Sequence, residues 1–190
     1  MKTILFNPFE KYAESRLLLF GIVILFIGTW LCTLFNMRFI GVLKMNPLAT
    51  VTTFEPLTDI VICVFCVTLF LWIAAKLINN KTRIIDIFVT AIVSFSLLCF
   101  LSVFNTNGML FRETQKIDRT TIAASANLDL SYMMFFALVS IVIIIWFVIL
   151  LYNGFKIASN AKSTKHNILF VVALILADVT SRLINQYLNS

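Results

Sequence analysis

The sequence predicts an all-α integral membrane protein, a bundle of five transmembrane helices. Of its 190 residues, 61% are hydrophobic and only 13% are charged, whereas a soluble domain is about half apolar and a quarter charged. The charged residues gather between long apolar runs, and about 20 apolar residues suffice to cross a hydrocarbon core about 30 Å thick. We expect one membrane domain that extends over residues 1–190.

The apolar runs define the five predicted helices. They lie at about 17–36, 57–78, 84–104, 131–153 and 167–187. The third run contains Asp86 and several hydroxyl residues, and the fifth contains Asp178. Both still qualify as helices, because the interior of a bundle accommodates polar groups that lipid does not.

The segment LFNPFEKY, before the first run, has the pattern of a helix start. Asn7 is predicted to be the N-cap, Pro8 the first helical residue, and Glu10 the residue whose carboxylate reaches back to the cap. The apolar run that follows is too long for a secretory signal peptide and lacks a small-residue cleavage site. We therefore expect one continuous helix from Pro8 to Phe35.

Basic residues predict the orientation of the chain. Nine of them precede the first helix or lie between helices two and three and between helices four and five, and six lie in the other connections and near the C-terminus. The positive-inside rule then places the N-terminus inside and the C-terminus outside. The same rule explains the net charge of +6 without nucleic acid, and the expected partner is the lipid bilayer.

Asp178 is the most informative single residue. It lies twelve residues, about 18 Å, beyond His166 along the fifth helix, past the middle of the membrane. A central aspartate costs roughly 2.5–3.5 kcal/mol on insertion, so it should face the bundle and have a partner. Arg182, one turn further on, is the nearest candidate, with Thr180 and Ser181 as hydrogen-bond donors. The pair is predicted to be either a proton or ion site or a structural ion pair.

A second polar group occupies the third helix. Asp86, Thr90 and Ser94 are spaced by four residues and therefore share one helix face. That face either lines a polar path or lets a neighbouring helix approach closely. Gly21 and Gly28, seven residues apart on the first helix, predict a similar close contact.

No motif of a soluble enzyme is present in the sequence. It contains a single histidine, no glycine-rich phosphate loop and no nucleophile elbow, so we expect no catalytic residues, no cofactor and no metal site. Cys63 and Cys66 have the spacing of a redox dithiol, but they lie within an apolar helix where burial disfavours a thiolate, so packing is the favoured interpretation.

The longest polar stretch, residues 105–130, separates the third and fourth helices. Leu110, Phe111 and Ile117 recur at roughly helical spacing in it. It is predicted to contain a short interfacial helix or to be an ordinary loop.

Five short motifs together resemble a known family. They are LFNPFEKY, NMRFIGVL, KTRIIDIFVTAIV, LLYNGFKIASNAK and ILADVTSR, and they look like the bacterial, Bacteroidetes-type branch of the Yip family. The resemblance implies a five-span protein of the bacterial cytoplasmic (inner) membrane with a cytoplasmic N-terminus. The eukaryotic members bind Rab proteins and carry an acidic-Tyr-Gly-Pro stretch that this sequence lacks, so Rab binding is not expected.

Two functions follow as hypotheses. The first is a non-enzymatic scaffold or interaction protein that binds a protein partner or forms a homo-oligomer. The second is a small transporter or channel that uses Asp178, Arg182 and Asp86. A thiol redox enzyme based on Cys63 and Cys66 is the least favoured.

Overall fold

The chain is an all-α membrane protein, as predicted. The computed structural model describes residues 7–118 and 129–188, except for the side chains of residues 117 and 118. Within this part of the chain, five helices are long and apolar enough to cross a membrane. Four of them have 21 to 30 residues, and the third belongs to a 33-residue stretch, Ile84–Lys116, that contains three consecutive helical elements. All five reach the roughly 20 residues that a bilayer core requires.

The elements follow one another along the chain in a simple order. They are α1 (Glu14–Leu34), β1 (Met37–Gly41), β2 (Lys44–Pro47), α2 (Phe54–Ile78), α3 (Ile84–Cys99), α4 (Met109–Asp118), α5 (Leu130–Ser159) and α6 (Thr164–Leu188). A 3₁₀ segment continues α3 from Phe100, and a kink at residues 105–107, where the backbone is not helical, separates this segment from α4. The predicted helix bounds agree with α1, α2 and α6 to within about three residues, whereas α5 is six residues longer than predicted at its C-terminal end.

The N-terminal part of the first helix was predicted only in part: a helical turn does begin at Pro8 after Asn7, but it is not capped by the Asn7 side chain and is not continuous with α1. Pro8–Glu10 form a separate 3₁₀ turn, the Asn7 side chain makes no capping hydrogen bond, and α1 begins at Glu14 after an extended Ala13. The 3₁₀ turn packs against the end of α5, and Pro8 is buried there. This tertiary contact outweighs the local capping preference, which is worth only about 1 kcal/mol.

The polar stretch after α3 does contain a helix. Residues 109–118 form α4, which confirms a helix here, while residues 119–128 of the predicted stretch lie outside the described residues. Asn105 ties the preceding turn to the bundle, since its amide donates to the Phe35 carbonyl at 2.7 Å and its Oδ1 accepts from the Phe111 N–H at 3.0 Å.

Glycines bring α1 against α3, as their spacing predicts. A Cβ on Gly21 would lie 2.6 Å from the Ile92 side chain, and one on Gly28 would lie 2.6 Å from Cys99 Cβ. Because ordinary side-chain contacts are much longer, only glycine permits this approach at these two positions. α3 is the central helix, since most of its residues are buried, whereas most residues of α5 are not buried and offer their side chains to lipid.

A β-hairpin lies inside the bundle, although the sequence pattern predicted only a connection here. Its strands are antiparallel, with Met37 opposite Pro47 and Phe39 opposite Met45. Phe39 is almost fully buried, and its ring contacts Phe95 of α3 at a centroid distance of 4.9 Å. The segment expected to be a polar connection between two helices is therefore part of the core.

Candidate functional site

The hairpin tip is held by a polar row on α6. The Leu43 N–H donates to Asp178 Oδ1 at 2.9 Å, and the Val42 N–H donates to Ser181 Oγ at 3.2 Å. Non-helical backbone within a membrane bundle requires such partners, because lipid offers none. Two backbone N–H groups at the hairpin tip are thus hydrogen-bonded to side chains of one helix.

Asn185 completes this row one turn further along α6. Its amide nitrogen donates to the Phe39 and Ile40 carbonyls at 3.0 and 3.3 Å and lies 3.9 Å from Cys63 Sγ. Residues 178, 181 and 185 are spaced by three and four positions, so their side chains share one helix face. We call Asp178, Ser181 and Asn185 the anchor row.

The structure brings Asp178 and Arg182 together, the pairing expected from the sequence. Arg182 Nη2 lies 2.6 Å from Asp178 Oδ2, and the two side chains are 44% and 10% exposed. Ser181 does not donate to the carboxylate; it donates to the Asp178 backbone carbonyl at 2.9 Å. The partner that the sequence did not predict is the hairpin backbone, because Leu43 is 135 residues away along the chain.

Gly41 lets the hairpin approach this ion pair. A Cβ at Gly41 would lie 2.5 Å from Arg182 Cγ and 3.0 Å from Asp178 Oδ1. We predict that Gly41→Ala lowers the free energy of unfolding by about 1–3 kcal/mol, the usual effect of overpacking. Denaturation with SDS in mild detergent measures the change. In the Arg182→Ala background, which lacks the nearest atom, the same substitution should cost less, and an equal cost would contradict this contact.

A second ion pair joins the hairpin to α2. Arg38 Nε and Nη2 each donate to one oxygen of Asp59 at 2.8 Å, and Nη1 lies 3.3 Å from Glu55 Oε1. The Asp59 side chain is 2% exposed and that of Arg38 is 13% exposed. This bidentate geometry is the strongest form of arginine–carboxylate contact. The hairpin is therefore clamped on one side by α2 and on the other by α6.

The polar group of α3 lies apart from the anchor row. Asp86 pairs with Arg83 at 2.8 Å, Arg83 also pairs with Glu14, and these contacts raise the pKa of Arg83, the Asp86 hydrogen bond being the largest cause. The Thr90 hydroxyl donates to the Asp86 backbone carbonyl at 2.8 Å. Within the described residues, no hydrogen bond or ion pair joins these groups to Asp178.

The rest of this polar face is used for packing. Thr90 is buried against Gly154 of α5, where a Cβ would overlap the threonine side chain. Ser94 is fully buried, and its hydroxyl has no hydrogen-bond partner among residues 7–118 and 129–188. Of the two predicted alternatives, Thr90 therefore takes part in a close helix contact. Asp86 belongs instead to an ion-pair cluster at the start of α3.

The cysteines lie within the core. Cys63 and Cys66 are 0% and 2% exposed, and both are free thiols. Reactive thiols require a stabilised thiolate and access for a substrate, and Cys63 instead packs beside Asn185. In the described part of the chain, no three His, Cys, Asp or Glu side chains are grouped in a way that could hold a metal ion.

The fold and the site together define a class, a helical integral membrane protein with an internal hairpin. Comparison of the chain with models of protein families, with curated proteins and with solved structures finds no match. The resemblance to the Yip family therefore stays a prediction from the sequence motifs.

Proposed function

We propose that this chain is a non-enzymatic integral membrane protein of the Yip type that acts as a scaffold or interaction protein in the bilayer. The observation that carries the proposal is the use of Asp178. Its Oδ1 accepts from the hairpin backbone and its Oδ2 pairs with Arg182. A carboxylate in these contacts stabilises the position of the hairpin, and pairing of this kind is one way in which a bundle accommodates an intramembrane charge.

The distribution of charge supports an interaction surface on one side of the bundle. In the half of the bundle in which α1 begins, the described residues include eight basic and three acidic ones. Among the described residues, the other half holds five basic and six acidic ones. The basic residues of the first half are Lys11, Arg16, Lys76, Lys81, Arg83, Lys156, Lys162 and Lys165. We call this half the basic face and propose that it lies in the cytoplasm of a bacterial cell.

Site-specific photo-crosslinking in intact cells tests the scaffold proposal. Photo-reactive residues at Lys81 and Lys162, both exposed on the basic face, are expected to give one discrete crosslinked product, a protein partner or a homo-oligomer. The matched control is Leu138, which is 62% exposed in the apolar part of α5 and should contact mainly lipid. A chain that remains monomeric and uncrosslinked from both basic positions would contradict the proposal.

The alternative function is a small transporter or channel, and one observation favours it. The Arg182 side chain is 44% exposed, so the ion pair is not fully enclosed by the bundle. In proteoliposomes, flux of ions or protons that is abolished in Asp178→Asn would support transport. Flux that is absent, or equal in the wild type and this variant, would contradict transport through Asp178.

The two functions also predict different effects on stability. Asp178→Asn retains an oxygen that can accept from the Leu43 N–H, whereas Asp178→Leu removes it. If Asp178 is an anchor, we expect Leu to lower the free energy of unfolding by about 1.5–3 kcal/mol, the effect of a lost hydrogen bond to a charged group, and Asn to lower it much less. SDS denaturation monitored by circular dichroism measures both variants, and equal losses would contradict the anchoring role.

A further inference from the structure

An apolar groove opens beside the N-terminal half of α1. It has a volume of about 580 Å³, and it is bounded by α1, α3 and α5 and closed at one end by the 3₁₀ turn. Phe20, Leu97 and Trp146 form its walls, and Tyr12 and Arg16 stand at the end nearest the basic face. The groove is thus apolar along its length and carries a cation at one end.

From these features we infer that the groove binds one anionic phospholipid, whose phosphate contacts Arg16 and Tyr12 and whose acyl chain lies along the walls. The dimensions fit this ligand. The groove extends from Arg16 to Phe100, and Phe100 follows Cys99, which contacts Gly28 of α1. Twelve residues of helix span about 18 Å, close to the half-thickness of roughly 15 Å that the chains of one leaflet fill.

Arg16 is available for a phosphate. Among residues 7–118 and 129–188, no carboxylate forms an ion pair with Arg16. The acidic side chain nearest to it in sequence, Glu14, is engaged by Arg83. A guanidinium group matches a phosphate in geometry, and a phenol such as Tyr12 adds a donor at headgroup depth.

The excess of cations on the basic face supports an anionic ligand rather than a neutral one. Basic side chains near a membrane surface attract anionic headgroups, each by a modest amount. A second groove of about 470 Å³ between α1, α2 and α3 has no charged residue in its lining. It offers an internal comparison, because it can hold an acyl chain but cannot select a headgroup by charge.

Native mass spectrometry of the full chain in mild detergent tests this inference. The probes are dioleoyl phosphatidylglycerol and dioleoyl phosphatidylcholine at equal concentration. We expect the wild type to retain one phosphatidylglycerol in preference to phosphatidylcholine. Arg16→Gln should weaken phosphatidylglycerol binding about fivefold, the effect expected for one basic group at an anionic surface, and leave phosphatidylcholine binding unchanged.

Two further variants distinguish the groove from the rest of the surface. Lys162→Gln, on the basic face but outside the groove lining, should bind phosphatidylglycerol like the wild type. Leu97→Trp fills the groove and should reduce binding of phosphatidylglycerol without changing any charge. Equal binding of both lipids to the wild type, or equal losses in Arg16→Gln and Lys162→Gln, would overturn the inference. So would a wild-type dimer that Leu97→Trp converts to a monomer with no change in lipid binding, since a second copy would then fill the groove.

Discussion

Arg38→Gln is expected to cause a large loss of stability. The variant leaves Asp59, whose side chain is 2% exposed, as a charge in the core without its bidentate partner. Removing one member of a buried ion pair typically costs about 3–5 kcal/mol, most of it because the remaining charge is uncompensated. The hairpin should detach from α2, and SDS denaturation of the purified protein should show the transition at a much lower SDS fraction.

Arg83→Gln is the matched control for this experiment. Arg83 also contacts two carboxylates, those of Glu14 and Asp86, but its side chain is 60% exposed. Exposed ion pairs contribute little, because water and salt screen them. We therefore expect Arg83→Gln to unfold almost like the wild type. Equal losses in Arg38→Gln and Arg83→Gln would show that the hairpin is not clamped by a buried pair.

The double variant Arg38→Met, Asp59→Leu distinguishes two contributions to stability. One is the net contribution of the ion pair, and the other is the cost of leaving one charge buried without a partner. Apolar replacement of both partners in a buried pair is often neutral or stabilising. Glu55 is the third member of the cluster, and its side chain is 38% exposed, so it can be hydrated when Arg38 is removed. The double variant should regain most of the stability that Arg38→Gln loses. A double variant as unstable as the single one would mean that the pair itself shapes the hairpin.

The five long helices could be predicted because the signal for them is local. Each depends on about 20 consecutive apolar residues, which can be counted without knowing any partner. A close helix contact at Gly21 and Gly28 could be predicted for a similar reason, since small residues repeated on one helix face are visible in the sequence, but the partner helix could not be named. Arg182 was found as a partner of Asp178 because an interval of four residues on a helix brings side chains together.

The internal hairpin could not be predicted in the same way. The structure buries Met37 and Phe39 and leaves Arg38 and Ile40 half-buried. Ile40 is as apolar as the two buried residues, however, so the sequence has no clear alternation of apolar and polar residues that would indicate a strand. What holds the hairpin lies far away along the chain, since Asn185 is 146 residues from Phe39. When its contact with Asn185 is not known, a short segment that contains Arg38 and Lys44 has the sequence pattern of a surface loop between two helices.

The predicted side-chain cap of Asn7 and the continuous helix from Pro8 are absent for a related reason, because a stronger tertiary contact outweighs the local pattern. An Asn-Pro pair followed by an acidic residue favours a helix start by about 1 kcal/mol. Burial of Pro8 and packing of Phe9 with Leu17 and Val89 hold the turn against its neighbours instead. The burial of one such side chain contributes about 1.5–3 kcal/mol, which is enough to separate the 3₁₀ turn from α1.

Gly154→Leu is also expected to lower the free energy of unfolding substantially, because it forces α5 away from α3. A Cβ at position 154 would overlap the Thr90 side chain, and even Thr90 Cβ would be only 2.9 Å away. Two helices that meet at this distance must separate to admit a leucine. Overpacking costs about 1–3 kcal/mol and occasionally more, and a helical glycine replaced by leucine regains less than about 1 kcal/mol of propensity. We expect a net loss of about 2 kcal/mol in SDS denaturation.

Ala137→Leu is the control for Gly154→Leu, because Ala137 lies on the same helix and is exposed. It adds similar volume toward lipid and should leave the transition unchanged. Thr90→Ala in the Gly154→Ala background should restore part of the loss caused by Gly154→Ala alone, since the two shortest contacts are with the threonine hydroxyl and methyl groups. Such coupling is expected only between residues that touch. Additive effects of the two substitutions would contradict a packing role for Thr90 and would favour the polar path that its spacing with Asp86 and Ser94 also allows.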